Sequence, residues 1–96
     1  MNWIMKENAI SMTTEITDLC ERLGFNDYVS AEEKTAGTVA IYEALTTGDE
    51  TYINDLFESL KESAEEYADD ETKWEIIEAE DSAVEFLKAW KNRTDE

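Results

Sequence analysis

The chain has no histidine, no proline, one cysteine, three glycines and only eight lysines and arginines among its 96 residues. Without histidine it lacks the commonest general base and metal ligand, and the Glu-x-x-His pairs of di-iron bundles cannot exist. Cys20 alone excludes an internal disulfide framework and any zinc site built on several thiolates, and is expected as a reduced thiol in the core. With no proline, and breakers only at Gly24, Gly37 and Gly48, long uninterrupted stretches remain, which favours helices. No alternating run of β-branched residues bounded by turn signals occurs, and no internal repeat.

Motifs that carry chemistry are missing too. There is no Gly-x-Ser-x-Gly, phosphate loop or dinucleotide fingerprint, and the carboxylates around Asp69, Asp70 and Glu71 do not open a calcium-binding loop. The expectation is a protein that is not an enzyme and needs no cofactor or metal. No stretch reaches the roughly 20 apolar residues of a membrane span, and the opening MNWIMKENAISM lacks the pattern of a signal peptide. A cytoplasmic location is expected, that of the host if the source is viral.

What the chain does have is acid: 25 Asp and Glu, for a formal charge of −17. At 42% hydrophobic residues, ten of them aromatic, it is still apolar enough to fold, and its length suits one small domain. Mutual repulsion of the carboxylates predicts a fold more stable at high ionic strength than at low.

The periodicity predicts a small all-α, single-domain bundle of four to five short helices. Ile16, Leu19, Cys20 and Leu23 form one stripe of a helix over 14–23, with Gly24 at its cap and Phe25 folding back on the last turn. Ser30 and Glu33 form a capping-box pattern before a helix over 31–46 carrying Thr38, Ile41, Tyr42 and Leu45, which Gly48 ends. Asp49 caps a third helix over 50–68, whose stripe is Ile53, Leu56, Phe57, Leu60, Ala64 and Tyr67. Asp69 and Asp70 cap a fourth, bearing Trp74 and Ile77. Ser82 and Glu85 repeat the capping pattern before Ala83, Phe86, Leu87 and Trp90, and the apolar stripe changes phase there, so a break is expected near 80–82, giving two separate helices or one bent rod. Residues 1–12 show no sustained period and are read as either a short helix over one end of the core or a loosely held tail. The helical domain is placed at 13–93, with 94–96 as a C-terminal tail. Lys88, Lys91 and Arg93 read as favourable charge at the end of the last helix.

The acid is clustered. Twelve carboxylates lie between Glu58 and Glu85, against Lys61 and Lys73 alone. Glu58, Glu62, Glu65 and Asp69 are spaced to line one helix face, and Glu71, Glu75 and Glu78 extend the pattern onto the next helix, so that two rows are expected near each other. Like charges at this spacing cost a helix a few tenths of a kcal/mol each, so a surface selected for folding alone would interleave lysines. Duplex nucleic acid also displays regular negative charge, and its binding proteins meet it with Lys and Arg. The rows, with Trp74 and Tyr67 as apolar anchors, therefore suit the basic surface of a nucleic-acid-binding protein or complex. Direct binding to nucleic acid or to an anionic membrane is disfavoured by the same sign. The candidate contact residues are Glu58, Glu62, Glu65, Asp69, Glu71, Glu75, Glu78 and Trp74.

In size and acidity the chain resembles the phage-encoded DNA-mimic proteins that block restriction or CRISPR machinery. The resemblance is one of composition, and it implies an anti-restriction or anti-CRISPR inhibitor without transferring any site. The rival reading is a structural or adaptor helical protein that acts by helix packing or as a homodimer, its acid serving solubility.

Overall fold

The computed structural model describes residues 3–23, 30–67 and 69–92, leaving aside the side chains of Trp3 and Tyr67. Expectations resting on Gly24, Phe25, the Tyr67 side chain and Arg93 lie outside the described residues. Four helices follow in order, α1 (Trp3–Arg22), α2 (Ala31–Thr47), α3 (Glu50–Tyr67) and α4 (Asp70–Lys91), and no strand occurs among the described residues. The protein is a small all-α helical bundle.

Cross-helix pairs define the arrangement. On α1 and α2, Thr17 meets Thr38 while Glu21 meets Lys34, so residue numbers rise along one helix as they fall along the other. Lys61 with Glu80 and Lys91 with Glu50 do the same for α3 and α4. Helix α1 packs on α2 and α4, and α3 on α2 and α4, giving an up-down-up-down square in which α1–α2 and α3–α4 are opposite sides.

The turns follow their capping chemistry. Ser30 Oγ accepts from the Glu33 N–H at 3.1 Å to start α2. Gly48 ends α2 at φ 75°, and the paired bonds Asp49 N–H to Ala44 O and Gly48 N–H to Leu45 O form a Schellman motif. Asp49 Oδ1 at once accepts from the Tyr52 N–H at 3.1 Å, so two residues close one helix and open the next.

The core is built from the expected stripes: Ile16, Leu19 and Cys20 of α1, Ile41 and Leu45 of α2, and Ile53, Phe57, Leu60 and Ala64 of α3 are all buried. Phe86 and Trp90 of α4 stack with centroids 6.3 Å apart.

Two expectations are corrected. Helix α1 begins at Trp3, eleven residues before 14, so the segment before Thr13 is the first half of a long helix. Its inward positions are Met5, Ala9, Met12 and Thr13, and the period they make is blurred by the exposed apolar Ile4 and Ile10 and by the buried but polar Thr13. Thr13 is buried because its hydroxyl donates to the Ala9 carbonyl at 2.7 Å. The second correction is at 80–82, where α4 runs unbroken. Its buried line is Ile76, Ala79, Ala83, Phe86 and Leu87, which holds one phase throughout. Trp74 and Ile77, which suggested the change of phase, are 61% and 43% exposed and do not belong to the core line.

Candidate functional site

Helix α3 presents the cleaner of the two acidic rows. Its inward stripe fixes the outward side, where Glu58, Glu62 and Glu65 are all exposed. Asp55 and Glu66 are exposed on the same side, since Asp55, Glu58, Glu62 and Glu66 step by three, four and four. These two belong to the row although they were not among the candidate residues, and their helical spacing was the signal available. Lys61 is the only cation of α3, and it turns away to bind Glu80 of α4 at 2.6 Å. Nothing basic on α3 interrupts the row.

Asp69 lies in the short connection to α4 and acts as its N-cap, its Oδ1 accepting from the Thr72 N–H at 2.8 Å. That hydrogen bond holds the Asp69 carboxyl below its ordinary range, because it favours the charged form. Its negative charge also sits at the positive end of the helix dipole.

The candidates on α4 divide. Glu71 and Glu78 are exposed, on either side of exposed Trp74 at steps of three and four. Glu75 instead faces α1, where it accepts a hydrogen bond from Arg22, whose other partner is Asp18 at 3.0 Å. The bond to Glu75 raises the Arg22 pKa above its ordinary value. Glu75 is therefore half-buried and paired, and stands apart from the open row that Glu71, Glu75 and Glu78 were expected to form.

The two rows do not abut. Between them lies the α3–α4 seam, an open groove of about 370 Å³ lined by Lys61, Ala64, Glu65, Lys73, Ile76 and Ile77. Beyond it stands Trp74, and only then come Glu71 and Glu78. The face thus reads as a carboxylate row, an apolar strip of Ile77 and Trp74, and a second, shorter acidic edge. An exposed indole framed by charge is the usual composition of an interface anchor.

No group of three or more metal-ligating side chains occurs among the described residues, and no described helix is long and apolar enough to cross a membrane. The arrangement is suited to attracting cationic side chains by its field and seating an apolar group beside them. Compared with known proteins, the chain matches no family model, no curated protein and no solved structure.

Proposed function

We propose that this chain is an acidic helical binding protein that inhibits a nucleic-acid-binding protein or complex by occupying its basic surface, in the manner of DNA mimics such as phage anti-CRISPR and anti-restriction proteins. The observation that carries the reading is the α3 row: five exposed carboxylates, Asp55, Glu58, Glu62, Glu65 and Glu66, with Lys61 withdrawn to Glu80. From Asp55 to Glu66 the helix rises about 16 Å, so the five charges average one per roughly 4 Å of axis, close to the ~3.4 Å of one duplex strand. A groove lined by Lys and Arg to fit that strand meets a similar charge density here. Action in the cytoplasm, a host's if the source is viral, belongs to the same proposal.

The test is capture of partners from a host extract at low and high salt, followed by competition with duplex DNA. Mimicry requires that basic DNA-binding proteins are retained, that DNA releases them, and that Glu58→Lys, Glu62→Lys and Glu66→Lys together weaken capture by about tenfold or more. Retention of partners indifferent both to DNA and to these reversals would remove the proposal.

The rival reading, a structural or adaptor protein acting through apolar packing, draws on half-exposed Ile10 and Val39, which no helix of the bundle covers. It requires binding that strengthens with salt, the opposite of the mimic.

A further inference from the structure

Along the seam of α1 and α4 runs an open groove of about 480 Å³ whose floor and rim differ in kind. The floor is apolar, with Met5 and Met12 of α1 half-buried and Phe86 of α4 buried. The rim is acidic: Asp81 and Glu85 of α4 are exposed, and among the described residues neither is ion-paired. Glu78, exposed three residues before Asp81, prolongs that edge, and Glu15, exposed three residues after Met12, adds to it from α1. No lysine or arginine lines the groove; Lys6 and Lys88, which neighbour it in sequence, lie outside its lining.

We propose that the α1–α4 groove seats a basic amphipathic helix of a protein partner. Charge selects the sign of the occupant, since a second copy of a chain carrying −17 would set carboxylates against Asp81 and Glu85, and an anionic membrane is repelled in the same way. The floor selects its form. An extended basic segment would pair with the rim and leave Met5, Met12 and Phe86 wet, whereas a helix with one apolar face covers both. Met5 and Met12 are about 10 Å apart along α1, and Asp81 and Glu85 about 6 Å apart along α4. A helix laid in the seam meets that pattern with apolar side chains at i, i+3 or i+4, and i+7, and with Lys or Arg four apart on its α4 flank. Methionine suits such a floor, because its unbranched thioether adapts to apolar groups of differing shape. The groove lies on a different seam from the α3–α4 face, so the inference stands without the mimic reading.

The probe is an amidated peptide of about 14 residues, leucine and lysine alone, with its leucines on one helical face. A peptide of the same composition, reordered to have no apolar face, is the control. Isothermal titration calorimetry of the full chain at about 0.15 M sodium chloride is expected to show the probe binding at least about tenfold more tightly than the control. Asp81→Lys and Glu85→Lys together are expected to weaken the probe by about tenfold. Ala89→Arg, at an exposed position lining the groove, does the same should the double variant unfold by circular dichroism. Glu58→Lys, Glu62→Lys and Glu66→Lys remove more charge but on α3, and are expected to change it by less than about threefold. The methyl resonances of Met5 and Met12 are expected to shift when the probe is added. Equal binding of probe and control overturns the proposal, as do unmoved methionine methyls or a larger loss from the α3 reversals than from the groove variants. Self-association in sedimentation equilibrium that the groove variants abolish overturns it too, and assigns the groove to a second copy.

Discussion

Replacing Gly48 by alanine puts two separable strains on one position. The residue sits at φ 75°, a conformation that costs an L-residue about 1–2 kcal/mol. A Cβ built there also lies 2.9 Å from Cδ1 and 3.2 Å from Nε1 of Trp90. Ordinary carbon contacts are about 3.5–4.0 Å, so the ring must retreat by roughly 0.6–1 Å, and overpacking of that kind costs about 1–3 kcal/mol. The ring is held by its stack on Phe86, so retreat is not free. The sum is about 3 kcal/mol, a large part of the roughly 5–14 kcal/mol available to a domain of this size. Urea unfolding followed by helical circular dichroism reads it as a fall in midpoint of about 2 M for an m-value near 1.5 kcal/mol/M. In a Trp90→Leu background the steric part disappears, and Gly48→Ala is expected to cost only about 1–2 kcal/mol, leaving a coupling of at least about 1 kcal/mol. Equal costs in the two backgrounds, or a cost below about 1 kcal/mol in the parent chain, would refute the close approach of α2 to Trp90.

Thr17→Val is expected to change stability by less than about 1 kcal/mol by the same assay, because Thr38 keeps its own bond to the Lys34 carbonyl at 2.7 Å and the valine fills the space. Ser30→Ala removes the cap of α2 and is expected to cost about 1 kcal/mol, reversed by Ser30→Asp. The Asp69 carboxyl is held below its ordinary value, so its contribution is complete above the unfolded value near about 4 and is lost as pH falls through the folded value. Asp69→Asn should therefore lower the neutral plateau of a stability–pH profile by the part of that contribution an uncharged amide cannot replace, and flatten its acid limb. Salt should raise the urea midpoint of the parent chain, and less so after Glu58→Lys, Glu62→Lys and Glu66→Lys, which relieve repulsion along α3.

Much of the fold could be read one helix at a time. The stripes of α2 and α3, the caps at Ser30, Asp49 and Asp69, and the glycine stop at Gly48 all express interactions within a few residues, which spacing alone reveals. The failures came where polarity and burial part company. Ile4 and Ile10 are apolar but exposed, while Thr13 is polar but buried through its hydroxyl bond, so α1 looked shorter than it is. Trp74 and Ile77 are large, apolar and exposed, so α4 looked broken.

The acidic surface divides along the same line. By itself the sequence determined that α3 carries its carboxylates on one outward side, because a helix turns by a constant angle per residue and Ile53, Phe57 and Leu60 must face inward. Only the packing of the four helices decided which charges remain available. It brought Arg22 of α1 against Glu75 and Lys61 of α3 against Glu80, pairs separated by 53 and 19 positions, and so withdrew two carboxylates and the one cation that would have diluted the α3 row. Periodicity is a property of one helix, but neutralisation depends on which helix lies next to it.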